Sequence, residues 1–168
     1  MKTGAGVVDK LAIIIATGLG VGYVPIAPGT LGSILGLGIA GGLMYFVRYS
    51  PNVLNLTLIV ASVVVALVGI WASTRAERVF GRKDPGAIVI DEVCGQMITF
   101  VSVTSYYRHS RHLLLILFVG FILFRAFDIF KPYPIRRLES LGSGLGVMAD
   151  DVLAGIYASI VLSFLLLL

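Results

Sequence analysis

Charged side chains are scarce in this sequence. Only 13% of the 168 residues are charged, 58% are hydrophobic, and the mean hydropathy is +0.99. Because soluble domains are about a quarter charged, this composition excludes a soluble globular domain, a nucleic-acid-binding domain and a disordered chain. The sequence predicts an all-α membrane protein whose partners are lipids and not nucleic acids.

Cysteine and histidine are also rare. The single cysteine, Cys94, excludes an internal disulfide and a cysteine-based metal site. The two histidines, His109 and His112, stand three residues apart in a loop with tyrosine and arginine, without an accompanying metal-binding motif. Neither residue type is expected to act as a nucleophile, so any chemistry falls to the carboxylates and their basic neighbours.

Apolar stretches set the predicted architecture. A transmembrane helix needs about 20 residues, and the candidates are residues 31–47, 53–72, 88–103, 113–130 and 152–168. An earlier stretch, residues 11–24, is too short to cross and is rich in glycine, so it is predicted to be a half-helix or re-entrant element packed on protein. We expect one membrane-embedded domain, a polytopic helical bundle with about five spans.

The basic residues predict the orientation of this bundle. If the loop at residues 73–87 faces the cytoplasm, an alternating layout leaves only Arg48, Arg108 and Arg111 of the basic residues on the other side. The same layout places all nine carboxylates at or near the cytoplasmic face. Acidic residues contribute little to topology, so their one-sided distribution indicates an active site at that face.

The first polar segment is a glycine- and proline-rich loop that enters the first span. It contains Gly29, Thr30 and Ser33. Free backbone N–H groups at a helix N-terminus and two hydroxyls could hold a phosphate. An ordinary turn capped by Thr30 explains the same residues equally well.

The second segment begins at Asp84 and enters the third span. Asp91 and Glu92 interrupt an apolar run, where an ionised side chain costs on the order of 3 kcal/mol. Adjacent helical residues diverge by about 100°, so the two carboxylates are expected to face different partners. Asp84 stands before Pro85 and is equally well explained as a turn residue.

The third segment combines acids and bases. Arg125 and Asp128 are three residues apart and can simply pair on one helix face, while Lys131 and Arg136 suit a phosphate substrate. Asp150 and Asp151 follow and resemble Asp91-Glu92, and each pair has a glycine shortly after it, Gly155 and Gly95, which suggests a repeat of helical units. Arg136 can alternatively anchor to lipid headgroups.

Four segments occur in this order along the chain: APGTLGS, DPGAIVIDEVCGQ, FRAFDIFKPYPIRRLE and GLGVMADDVLAG. Together they resemble the signature blocks of the phosphatidylglycerophosphatase A family over about the whole sequence. The resemblance implies a small helical phosphatase of the bacterial inner (cytoplasmic) membrane. Such an enzyme converts phosphatidylglycerophosphate to phosphatidylglycerol in phospholipid biosynthesis and requires Mg²⁺.

The resemblance and the residues lead to one hypothesis for the site. One or two Mg²⁺ ions are held by a cluster of carboxylates, namely Asp91, Glu92, Asp128, Asp150 and Asp151. Lys131 and Arg136 neutralise the phosphate, and Gly29, Thr30 and Ser33 add hydrogen-bond donors. Either water or an aspartate attacks the phosphorus.

Other functions fit the sequence less well. A divalent-cation transporter or channel would also place carboxylates in a membrane, but no matching acidic set occurs at the other face. A phosphatidyl transferase would need a D-G-x2-A-R motif, which is absent. Glycines at positions 36, 38, 41 and 42 could pack helices within one chain or between two, so the oligomeric state stays open.

Overall fold

The computed structural model describes residues 6–47, 50–103, 113–138 and 140–167, and every regular element in these ranges is helical. The helices are α1 Val7–Ala16, α2 Pro28–Phe46, α3 Pro51–Phe80, α4 Ile90–Ile98, α5 Leu113–Phe130, α6 Ile135–Leu138 and α7 Ser143–Leu165. Two short 3₁₀ turns, Val21–Tyr23 and Val101–Val103, complete the described elements. The prediction of an all-α architecture is confirmed.

Four helices in the described ranges are long and apolar enough to cross a membrane: α2, α3, α5 and α7. The third predicted span, residues 88–103, instead contains α4, whose nine residues make a helix about 14 Å long. Most of α4 is buried against α2, α3 and α7. A helix buried in protein needs apolar residues just as a helix in lipid does. Hydropathy therefore predicts a longer helix here than the structure contains.

The predicted half-helix is present near the N-terminus. Helix α1 has ten residues and is followed by a turn in which Gly18 and Gly20 have φ of 56° and 96°. Glycine adopts this left-handed conformation without steric cost. The turn returns the chain toward α2, and the Val89 N–H donates to the Ala16 carbonyl at 2.9 Å, which fixes the segment before α4 against α1.

Helices α4 and α7 cross at a pair of glycines. A Cβ on Gly155 would overlap the carbonyl oxygen of Gly95, and a Cβ on Gly95 would come within 2.5 Å of the Asp151 carbonyl oxygen. Each glycine stands one helical turn after an acidic residue, Asp91 on α4 and Asp151 on α7. The close crossing therefore brings the two acidic pairs noted in the sequence to the same level of the bundle.

We expect Gly155→Ala to lower both stability and activity. The added methyl group must displace the α4 backbone, and overpacking of this kind costs about 1–3 kcal/mol. Thermal unfolding in detergent and phosphate release would both be measured. Gly38→Ala is the matched control, because a Cβ there meets no atom within 4 Å. Equal behaviour of the two variants would show that the α4–α7 crossing tolerates a wider separation.

Candidate active site

An acidic cleft of about 420 Å³ lies where α2 begins, α4 begins and α5 ends, beside the first half of α7. Six carboxylate residues line it: Asp84, Asp91, Glu92, Asp128, Asp150 and Asp151. Two basic residues, Arg125 and Lys131, line it as well. The fold thus collects side chains from four separate segments of sequence at one end of the helical bundle.

Three of the carboxylates form a compact group. One oxygen each from Asp91, Glu92 and Asp151 lies within 4.8 Å of the others. Beyond this group, Asp91 and Glu92 have different neighbours. The Glu92 side chain extends to Gly29, where only the absence of a Cβ leaves room for its Oε1, while Asp91 is buried at the α4–α7 crossing.

Several carboxylate oxygens in this cleft have no protein partner. Asp91 Oδ1, Glu92 Oε2 and Asp150 Oδ1 are buried and find no hydrogen-bond donor in the described part of the chain. Buried ionised groups are costly unless they are paired or bind a metal. Burial, followed by the neighbouring carboxylates of Glu92 and Asp151, raises the pKa of Asp91, which lies outside the four candidate membrane-spanning helices, well above its usual range.

These oxygens fit a divalent cation. Mg²⁺ prefers hard oxygen ligands and is commonly held by one or two carboxylates together with water and substrate phosphate. A cation beside Asp91, Glu92 and Asp151 would supply a partner for the first two of these residues and offset the mutual repulsion of the carboxylates. The residues whose positions suit that role best are Asp91, Glu92 and Asp151.

The two basic residues are tied to the edge of this group. Arg125 Nη1 lies 2.6 Å from Asp128 Oδ2, which confirms the pairing considered from the sequence, and it donates to Ser33 Oγ at 3.2 Å. Lys131 Nζ donates to Asp150 Oδ2 at 2.7 Å. Both cations are mostly shielded from solvent, so their ion pairs are held more firmly than exposed surface pairs.

The first loop contributes less directly than its composition suggests. Gly29 lines the cleft, but Thr30 and Ser33 are not among the residues that line it. Ser33 is buried behind the wall, where its hydroxyl donates to the Gly29 carbonyl at 3.0 Å and accepts from Arg125. Ser33 therefore positions Arg125 in this structure.

Arg136 does not line the acidic cleft. Helix α6 is a single turn whose first residue, Ile135, is fully buried, and the next residue consequently projects to the exposed side. Its neighbour Arg137 stacks on the Tyr133 ring at 4.8 Å and donates to its hydroxyl at 3.1 Å. This exposed arrangement is typical of residues that contact lipid headgroups.

Sequence reasoning assigned no site role to two residues of the cleft. The spacing of Arg125 and Asp128 predicts only an ion pair, although an ionised residue within a span is expensive and usually functional. Asp84 stands before Pro85, so its sequence context is also that of an ordinary turn residue. Its proximity to the other carboxylates depends on how the loop after α3 folds back, which leaves no local signal in the sequence.

Comparison with known proteins identifies the family. The model of the family described as phosphatidylglycerophosphatase A matches residues 14–166. The chain belongs to the phosphatidylglycerophosphatase A family. All residues that line the acidic cleft fall within the matched range. The family assignment predicted from the four sequence segments is confirmed, and the chain is an enzyme of the phosphoric monoester hydrolase class.

Curated relatives agree with this assignment. A Phosphatidylglycerophosphatase A of Haemophilus influenzae is 37% identical over 149 residues, which cover 88% of this chain and 84% of the relative. The Escherichia coli protein of the same name is 29% identical over 154 residues, 90% of this chain and 81% of the relative. A Bacteroides thetaiotaomicron protein provisionally named a phosphatidylinositol-3-phosphatase is 36% identical over 153 residues, 91% and 92% of the two chains. No solved structure matches the chain.

Proposed function

We propose that this member of the phosphatidylglycerophosphatase A family hydrolyses phosphatidylglycerophosphate to phosphatidylglycerol and inorganic phosphate, with Mg²⁺ bound in the acidic cleft. The observation that carries the proposal is a set of buried carboxylate oxygens that have no hydrogen-bond partner among the described residues. They belong to Asp91, Glu92 and Asp150, which line a cleft together with Arg125 and Lys131. In the reaction a water oxygen bonds to phosphorus, the bond from phosphorus to the glycerol oxygen breaks, and that oxygen takes up a proton.

The carboxylates divide into two groups in this proposal. Asp91, Glu92 and Asp151 hold the cation, which supplies Lewis-acid polarisation of the phosphoryl group when it is bound. Asp128 and Asp150 are already engaged by Arg125 and Lys131, so they orient those cations. This division assigns different roles to residues that the sequence presents simply as acidic.

The protein side chains position the reactants. Arg125 and Lys131 pair with the phosphate oxygens and offset the charge that develops during transfer. Asp150 Oδ1, buried and without a partner in the described residues, accepts a proton from the attacking water while Oδ2 is held by Lys131. A proton acceptor must lie within hydrogen-bond reach of the water, and Asp150 lines the cleft.

The location of the cleft supports a role in membrane lipid synthesis. The cleft lies near the end of the bundle where α3 ends and α5 ends, and the predicted loop of residues 73–87 is helical as far as Phe80. Basic residues follow both helix ends, Arg82 and Lys83 after α3 and Lys131 after α5. Because basic residues are enriched on the cytoplasmic side, we infer that the enzyme is a multi-pass protein of the bacterial cytoplasmic membrane with its cleft at the cytoplasmic face. Its product is then released where phospholipid headgroups are assembled.

A second substrate is favoured by one relative. The Bacteroides thetaiotaomicron protein carries the name of a phosphatidylinositol-3-phosphatase. Phosphatidylinositol 3-phosphate and phosphatidylglycerophosphate have the same chemical groups in the same order. In both, a phosphodiester joins diacylglycerol to a polyol, and the polyol carries a phosphate monoester. The same reaction at the phosphate monoester applies to both lipids. The enzyme can distinguish them only by how the polyol, glycerol or inositol, fits beside the acidic cleft.

Phosphate release by the detergent-purified protein tests the proposal. We expect release from phosphatidylglycerophosphate with Mg²⁺ and a loss of about a hundredfold or more when EDTA removes the metal, because the clustered carboxylates then repel the substrate. Phosphatidylinositol 3-phosphate is assayed in parallel. Absence of release from folded, Mg²⁺-supplied protein would overturn the proposal, and cation flux in liposomes would then favour transport.

A further inference from the structure

A second polar cavity adjoins the acidic cleft. This Lys83 cavity has a volume of about 450 Å³ and is lined by Lys83, Asp84, Gly146, Val147 and Asp150. Two of these residues, Asp84 and Asp150, also line the acidic cleft. The two cavities are therefore neighbouring compartments with a shared carboxylate border.

The loop after α3 is held in place at this border. Asp84 adopts a left-handed backbone conformation, with φ of 44°, and its N–H donates to Glu77 Oε1 at 2.8 Å. A residue other than glycine occupies this region at a cost and keeps it only where its surroundings fix it. Glu77 on α3 and the buried ring of Pro85 provide that constraint.

The opposite wall comes from the beginning of α7. Gly144 packs directly on α3, where its N–H donates to Thr74 Oγ1 at 3.2 Å. Gly146 and Val147 then line the Lys83 cavity. The cavity thus lies between the end of one membrane-spanning helix and the start of another, at the level of the acidic cleft.

The two compartments differ in charge. Carboxylates dominate the acidic cleft, whereas Lys83 lines only the Lys83 cavity, whose two carboxylates, Asp84 and Asp150, belong to the shared border. Lysine pairs with a singly charged phosphodiester, and a carboxylate accepts a hydrogen bond from a hydroxyl group. A ligand with a phosphodiester, a hydroxylated spacer and a second phosphate matches this order of groups.

We propose that the Lys83 cavity binds the phosphodiester of the lipid headgroup while the terminal phosphate monoester occupies the acidic cleft. The inference rests on the proposed function and adds a determinant of specificity to it. Lys83 pairs with the phosphodiester, and Asp84 accepts a hydrogen bond from the polyol between the two phosphates. The enzyme therefore favours lipids with this two-phosphate headgroup over phosphatidic acid, whose only phosphate is joined directly to diacylglycerol.

A substrate comparison tests the proposal. The ratio of kcat/KM for phosphatidylglycerophosphate to that for phosphatidic acid is measured in mixed micelles for the native protein, Lys83→Gln and Arg82→Gln. We expect Lys83→Gln to lower this ratio about tenfold, mainly through KM, because one charge-assisted contact to the phosphodiester is lost. Arg82→Gln removes the same charge from the same loop, but Arg82 lines neither cavity, so its ratio should match that of the native protein.

The outcomes separate this inference from the proposed function. An unchanged ratio for Lys83→Gln, or an equal fall for both substrates, overturns the inference while phosphate release by the native protein still supports the function. An equal fall would indicate that Lys83 acts on the monoester or on the released phosphate. If the native protein releases phosphate from neither lipid, the proposed function and the inference both fail.

Discussion

Asp151→Asn is expected to abolish phosphate release, with a fall in kcat of about a thousandfold. Asp151 is 3% exposed and contributes one of the three clustered carboxylate oxygens. Asparagine keeps the shape of the side chain but removes the charge that attracts the cation. The helix should remain intact, since the substitution adds no volume at the α4–α7 crossing. Initial rates with saturating substrate and Mg²⁺ measure the effect.

The effect of Mg²⁺ on thermal unfolding distinguishes a metal ligand from a residue that only supports the fold. A ligand that binds only the folded protein raises its stability, so Mg²⁺ should raise the Tm of the native protein and leave that of Asp151→Asn unchanged. In EDTA the variant should be at least as stable as the native protein, because one of several mutually repelling carboxylates has become neutral. A native-like response to Mg²⁺ would exclude Asp151 from the metal site.

Two further comparisons complete this test. Asp9→Asn is a matched control, because Asp9 pairs with Arg75 between α1 and α3, outside the acidic cleft. It should retain activity and the Mg²⁺ response. Asn substitutions at Asp91, Asp128 and Asp150 are expected to inactivate the enzyme as well. Near-normal activity in these three and in Asp151→Asn would rule out the assignment of the cleft as the catalytic centre.

Much of the fold could be predicted because the apolar composition of a membrane helix is a local property of the sequence. The stretch at residues 113–130 coincides with α5, and the glycine-rich turn after α1 is visible as a break in the apolar pattern. Both follow from rules that act within a few helical turns. Helix α4 was overestimated because hydropathy does not distinguish a helix surrounded by lipid from one buried in protein.

The composition of the site was visible in the sequence, but its arrangement was not. Apolar surroundings identified Asp91 and Asp151 as unusual, since charged groups in such runs need a reason. Their convergence depends on the Gly95–Gly155 contact between two helices far apart in sequence. The exposed position of Arg136 has a similar origin, because a single buried residue, Ile135, determines which way a one-turn helix presents its neighbours.

Arg125 illustrates how a correct local interpretation can be incomplete. Its pairing with Asp128 was evident from their spacing, and that pair is present. The structure adds that Arg125 lines the acidic cleft and is held there by Ser33 as well. A guanidinium fixed by two neighbours keeps further N–H groups in a rigid plane, which suits the geometry of a phosphate.

Arg125→Gln is therefore expected to lower kcat/KM about a hundredfold, whereas Arg136→Gln should change it less than about threefold. The first substitution removes a cation at the proposed phosphate position, and the second removes an exposed one. Phosphate release at several substrate concentrations distinguishes the two. A larger loss for Arg136→Gln would restore that residue to the phosphate site and remove Arg125 from it.

Loss of Arg125 also leaves Asp128 without its partner, and a partly buried carboxylate left unpaired destabilises the fold. The double variant Arg125→Gln/Asp128→Ala separates these effects, because it removes the unpaired charge together with the arginine. We expect it to regain the Tm lost by Arg125→Gln and to remain inactive. Recovery of activity with stability would show that Arg125 serves only to neutralise Asp128, and the phosphate would then depend on Lys131 alone among the basic residues of the acidic cleft.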